Sequence, residues 1–208
     1  MTGRFLLLVN TPNERPAFLA DLRRHRFDVV QQYELDRLDL DRFSGIVLTM
    51  HSDQVHLSEN AAKLDAYLDG GGSVIFNGHV VQPFLPELTA FRPLEDQTRK
   101  TLRINREAEH PLFGCVTSDD LSFQRGVMGF YGRGTNPPPA GAVVLNSAGP
   151  ERAAVDWLLT RPTGGRLFVH TGNDLFSFLS RAGSERLSAL QQFFDWFVET
   201  DHAAPRRH

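Results

Sequence analysis

A chain of 208 residues with a formal net charge of -3 and a pI near 6.2 offers no basic surface for nucleic acid. Its hydrophobic fraction of 41% and charged fraction of 23% are ordinary for a globular chain with a sizeable core, so one domain over residues 1–200 is expected, with a polar, unperiodic tail at 201–208. The single cysteine, Cys115, excludes an internal disulfide and a cysteine-based zinc cluster, and it fits a reducing compartment, the cytoplasm.

The apolar stretch Phe5 to Val9 is too short for a signal sequence or a membrane span, and no membrane partner is expected. With Arg4 it reads as a strand covered on both faces, and Asn10-Thr-Pro-Asn is the loop at its carboxyl end. Pro16 suits the first turn of a helix carrying Phe18, Leu19 and Leu22, and Phe27 to Gln32 reads as the second strand of a βαβ opening. Asp36 to Arg42 is a charged connection. Gly45 to Thr49 is a third buried strand that runs into a polar loop holding His51, Asp53 and His56, and Ser58 is a candidate cap for the helix after it.

The segment Leu64 to His79 organises the chain. Ala61, Leu64 and Leu68 mark one helical face, Gly70 to Gly72 end the helix in left-handed backbone, and Ser73 to Phe76 form a short buried strand that stops in Asn77-Gly78-His79. Ligands of open α/β sheets bind outside the carboxyl ends of the strands, so the site is expected around this turn, which reads as strand-to-helix. Beyond it, Thr101 to Asn105 alternates like a half-exposed antiparallel strand. Residues 110–139 are rich in glycine and proline, with one strand near Val127 to Tyr131 and with Phe123, Phe130 and Tyr131 calling for burial. The run from Gly126 to Gly134, with Arg125 and Arg133, lacks the following helix of a phosphate-cradling loop and reads as a turn-rich segment. Ala142 to Asn146, Ala154 to Leu159 and Leu167 to His170 are strands, the last two a hairpin, and Glu185 to Glu199 is a closing helix on Leu187, Leu190, Phe194 and Phe197, with Phe193 or Trp196 at the stripe's edges. These elements predict an α/β, flavodoxin-like three-layer domain with a mostly parallel, mixed central sheet.

In three places the sequence resembles the class I glutamine amidotransferase-like superfamily, and within it the ThuA-like (trehalose utilisation) proteins. They are the unit from Leu64 to His79, the His110-Pro-Leu segment with the irregular stretch after it, and Gly164-Gly-Arg-Leu-Phe-Val-His-Thr-Gly-Asn-Asp. The resemblance implies that fold and a role in carbohydrate metabolism. Working amidotransferases of the superfamily carry a cysteine on the turn after the central strand and a histidine after a late strand. Here Asn77 stands where the thiol would be, so the glutamine-hydrolysing reaction is expected to be absent. His170 ends the late strand, but Asn173 and Asp174 replace the Pro-Glu that follows in such enzymes. Cys115 lies in another segment and reads as a small buried thiol.

Three strand-end loops converge in this arrangement. His170 or His79 is the candidate acid or base, with Asp174 returning across the Gly172 turn to orient His170, and His51, Asp53, Asn77, Gly78 and Asn173 are candidate ligand contacts. An alternative gives Asp174 to the cap of a helix starting at Leu175 and His170 to a backbone carbonyl. Imidazole and carboxylate are metal ligands, but the spacing of His51, Asp53, His56 and His170 matches no strong motif, and neither metal nor other cofactor is expected. Two functional classes follow: a protein that binds or processes a small polar, carbohydrate-like ligand at the strand ends, and a non-catalytic scaffold of the same fold. Either allows a homo-oligomer.

Overall fold

Uninterrupted apolar runs hide both faces of a strand, and here they set the architecture. The computed structural model describes residues 2–11, 16–22, 24–124, 126–172, 175–181 and 186–199. The strands are β1 (Arg4–Val9), β2 (Arg26–Gln31), β3 (Gly45–Leu48), β4 (Ser73–Asn77), β5 (Arg92–Pro93), β6 (Ile104–Arg106), β7 (Phe123–Gln124), β8 (Val127–Met128), β9 (Gly134–Thr135), β10 (Val143–Ala148), β11 (Ala153–Thr160) and β12 (Arg166–His170). The α-helices are α1 (Gln54–Glu59), α2 (Ala61–Asp69), α3 (Ser118–Ser122), α4 (Leu175–Arg181) and α5 (Arg186–Glu199).

The main sheet has eight strands in the order β2-β1-β3-β4-β12-β11-β10-β6. The first five are parallel neighbours, and β11, β10 and β6 are each added antiparallel. The order of β2, β1, β3 and β4 is the flavodoxin-like winding, in which the chain reverses its progress across the sheet between β1 and β3. Side chains alternate between the faces, as the two-residue period of a strand requires. Leu6, Leu8, Ile46, Leu48, Val74 and Phe76 pack with Leu57, Leu64, Tyr67 and Leu68 of α1 and α2. Phe5, Leu7, Val47, Ile75 and Phe168 face the other way, toward Phe176 and Leu179 of α4 and Leu190, Phe193, Phe194 and Phe197 of α5. Fully burying one phenylalanine contributes roughly 1.5–3 kcal/mol. Phe193, Phe194 and Phe197 have no exposed surface, so α5 is a principal clamp on this face. The result is the expected three-layer α/β fold with a mixed, mostly parallel sheet.

Edge strand β2 carries Asp28, whose carboxylate meets Arg4 at 2.5 Å, Arg26 at 3.2 Å and Arg42 at 3.8 Å. The other edge, β6, is only three residues long, and its Arg106 donates to the Val116 carbonyl at 2.5 Å.

Several expectations need correction. The turn after β4 leads into irregular chain, with no helix before the 3-10 turn at Pro111–Phe113. Side chains satisfy the polar backbone of that stretch instead, as described below. The segment at Pro16 forms a five-residue 3-10 turn, Ala17–Asp21, and no α-helix. Helix α1 begins before Ser58: Asp53 is its cap, accepting from the Val55 and His56 N–H groups, and Ser58 is inside it. The strand near Val127 is two residues long, and Phe130 is 45% exposed, whereas Tyr131 is buried. Phe193 is core and not the edge of the stripe. Gly71, with φ of 91°, does end α2 in left-handed backbone. Among the described residues no helix is long and apolar enough to cross a membrane.

Candidate functional site

Neighbouring strands place residues in rows, and one row near the carboxyl ends of β4 and β12 is polar throughout. Asn77 is in register with His170, His170 with Asp156, and Asp156 with Asn146, across β4, β12, β11 and β10. All four are buried, Asn77 to 3% exposure and the others completely. Burying polar groups costs free energy unless they are hydrogen-bonded, and this row largely is. His170 Nδ1 lies 2.6 Å from Asp156 Oδ1. Asp156 Oδ2 accepts from the Tyr131 hydroxyl at 2.7 Å and from Asn146 Nδ2 at 2.6 Å. Burial, and then the Asp156 carboxylate, push the Tyr131 phenol well above its ordinary range, so it stays a protonated donor. Asn77 Oδ1 accepts the Leu175 N–H at 3.3 Å, which caps α4 from a strand distant in sequence.

One atom of the row is left over. His170 Nε2 is buried and has no hydrogen-bond partner among the described residues. Beside it the chain passes through Gly172. A Cβ at that position would come within 2.2 Å of Nε2 and 2.0 Å of the Tyr131 carbonyl oxygen, so only glycine fits the close approach.

The segment after β4 is held against this row. Gly78 donates its N–H to the His170 carbonyl at 3.0 Å. Asn136, fully buried, takes the place of a neighbouring strand: its Nδ2 donates to the Gly78 carbonyl at 2.8 Å and its Oδ1 accepts from the Val80 N–H at 2.9 Å. Its own backbone is fixed by the Thr171 hydroxyl and the Trp157 indole N–H. His79 then stacks on Phe91, centroids 3.7 Å apart and planes 11° from parallel. Burial is the main cause that holds its pKa below the ordinary 6.5. Gln54 of α1 binds the His79 carbonyl and the Val81 and Gln82 N–H groups.

The strand ends thus bring His170, Asn77, Gly78 and His79 together. His51 is exposed, and its carbonyl accepts from Asn10 Nδ2 at 2.5 Å where the loops after β1 and β3 meet. Asp53 spends Oδ1 on the cap of α1 and Oδ2 on the Tyr33 hydroxyl, and Gln32 brackets its backbone, so the structure gives it a local role. His56 is bonded to the Gln32 carbonyl at 3.0 Å. Asn173 and Asp174 lie outside the described residues. The expectation that His170 leaves the packed layer is corrected: it is the last residue of β12 and is completely buried. The carboxylate that meets it is Asp156, on the adjacent strand. A lone charge inside Ala-Ala-Val-Asp-Trp-Leu-Leu was the available signal, because charged residues are rarely buried unpaired. Cys115 is exposed, contrary to expectation, and its thiol meets Gln192 Oε1 at 3.0 Å. Among the described residues no three His, Cys, Asp or Glu side chains are grouped to hold a metal ion.

No protein-family model matches the sequence. No curated protein matches it either. Two solved structures from Salmonella typhimurium share the fold. The cytoplasmic protein STM3548 aligns with a TM-score of 0.56 at 12% identity, over 99% of this chain and 100% of that one. The cytoplasmic protein STM1381, from strain LT2, aligns with a TM-score of 0.53 at 12% identity, over 96% of this chain and 98% of the other. At such identity the likeness is one of fold.

Proposed function

We propose that this chain is a ThuA-like member of the class I glutamine amidotransferase-like superfamily that has lost the nucleophile, and that it binds or processes a small, polar, carbohydrate-like ligand at the carboxyl ends of β4 and β12. The observation that carries the reading is the unpartnered Nε2 of His170. A buried polar atom without a partner costs about 1–3 kcal/mol, and this one stands where α/β sheets receive their ligands, with its ring already fixed by Asp156. The groups hydrogen-bonded along the row are amides, a phenol, an imidazole and a carboxylate, with no cation among them, which favours a neutral ligand over an anion. The single thiol and the description of both structural neighbours as cytoplasmic support a cytoplasmic setting.

The test is a thermal-shift screen of sugars, polyols and sugar acids against the wild type and His170→Ala. A ligand bound only by the folded state raises the melting temperature. The reading expects a neutral hydroxylated compound to stabilise the wild type and not the variant. The complete burial of His170 and near-complete burial of Asn77 favour a second reading, a non-catalytic scaffold with a structural polar row. That reading stands if no compound shifts the wild type.

A further inference from the structure

We infer that Asp156 is a positioning residue that fixes His170 as the tautomer protonated on Nδ1, so that the Nε2 lone pair is presented, beside Gly172, to an O–H or N–H donor of the ligand. This deepens the reading of His170 as the ligand-facing group and rests on it only for the identity of what arrives at Nε2.

The argument begins at Asp156 Oδ2. That oxygen already takes two donors, the Tyr131 hydroxyl at 2.7 Å and the Asn146 amide at 2.6 Å. Asn146 could turn its oxygen toward the carboxylate only by setting two acceptors face to face, so its amide nitrogen points there and its own Oδ1 is left without a partner. With Oδ2 filled by donors, Oδ1 is the acceptor for the imidazole, and the 2.6 Å separation from Nδ1 requires a proton between them. A proton on Nε2 alone would oppose two lone pairs at that distance. In the neutral ring the tautomer is therefore dictated by the carboxylate, and the free lone pair falls on Nε2.

The surroundings of Nε2 agree. It has no partner among the described residues, and Gly172 lies beside it, where a Cβ would come within 2.2 Å. The Tyr131 carbonyl oxygen, itself an acceptor, lies 2.0 Å from that Cβ position. Two acceptors side by side, Nε2 and a carbonyl oxygen, suit a group bearing donated hydrogens, such as a hydroxyl or an amine, and repel a carboxylate or phosphate.

The experiment is nitrogen NMR of the histidine side chains in the full-length protein at about pH 7.5, where tautomers are distinguishable. His170 is assigned by its loss in His170→Ala. The wild type and Tyr131→Phe are expected to show the proton on Nδ1 and a bare Nε2. In Asp156→Asn the amide oxygen keeps the two donors and the amide nitrogen turns to Nδ1, so the proton is expected to move to Nε2. Finding the wild-type proton on Nε2 overturns the inference, as does an unchanged tautomer in a folded Asp156→Asn. If Asp156→Asn does not fold, the wild type and Tyr131→Phe decide alone. No ligand is needed for these readings, so a failed ligand screen beside the expected tautomer removes the functional reading and leaves the role of Asp156 intact.

Discussion

Asn77 and His170 are register partners in the parallel ladder of β4 and β12, yet their side chains serve different neighbours: Asn77 caps α4 through the Leu175 N–H, and His170 turns its Nδ1 to Asp156. On the proposed amidotransferase-like reading Asn77 stands at the nucleophile position, and its side chain is a structural amide. Incubation with glutamine is therefore expected to release no ammonia, in the wild type and in Cys115→Ser alike. Ammonia release that disappears in Cys115→Ser would overturn this.

Asn77→Ala removes a buried helix cap. Caps of this kind contribute roughly 0.5–2 kcal/mol. A loss of that size in urea unfolding is expected, with the amides of α4 losing hydrogen-exchange protection more than those of α2.

Tyr131→Phe removes one of the donors that stabilise a fully buried carboxylate. A hydrogen bond to a charged group is worth roughly 1.5–3 kcal/mol, so Tm is expected to fall by about 3–10 °C in a chain of this size. A shift of less than about 1 °C would show that Asp156 is adequately held by Asn146 and His170 alone.

Gly172→Ala forces a methyl against the Tyr131 carbonyl and His170 Nε2. The backbone clash cannot be relieved by a side-chain rotation, and a loss of about 1–3 kcal/mol is expected, as for overpacking elsewhere in a core. Gly126→Ala, where a Cβ would meet nothing within 4 Å though φ is 77°, separates the cost of crowding from that of backbone strain.

Acid weakens the fold through its buried and half-buried histidines. Burial holds His25, His79 and His110 below the ordinary value of 6.5, and for His25 the pull of Asp195 only partly offsets it. The native state refuses a proton that the unfolded chain accepts, so the stabilisation is complete above about pH 6.5 and is lost as the pH falls from there through the native values. The geometry at His25 agrees: Nδ1 accepts the Gly3 N–H at 3.1 Å, leaving that nitrogen no room for a second proton. Tm is expected to hold level down to about pH 6.5 and to decline from there to about pH 5, and His25→Asn to flatten part of the slope. A Tm that rises on acidification would contradict the sign.

The strands and the sheet's mixed character were legible because continuous apolar runs leave few alternatives, and because Arg161-Pro-Thr-Gly-Gly can only be a hairpin turn between two of them. His170, Asn77, Gly78 and His79 were legible as strand ends. The partner of His170 was not. Its identity depends on the register between β11 and β12, which sets Asp156 opposite His170, and no local pattern reports a register. Asn136 and the bond from Tyr131 to Asp156 were hidden for a related reason: both residues sit in irregular chain, where the burial of Tyr131 could be expected but no period says what an inward side chain meets. His51 and Asp53 were drawn toward the site because they also follow a strand, but sequence does not show that the Asp53 oxygens are consumed by a helix start and a tyrosine.

The two margins of the sheet have a bearing on how copies of the chain meet. An open strand invites a strand from another molecule to add to it, which is the common first step toward fibrils. Here one margin is β2, where Arg26 and Asp28 sit in a cluster of opposed charges, and the other is β6, too short to template a partner and leading into chain pinned by Arg106. Neither margin welcomes a newcomer. The main sheet is thus guarded against edge-to-edge addition, by charge at one margin and by shortness at the other.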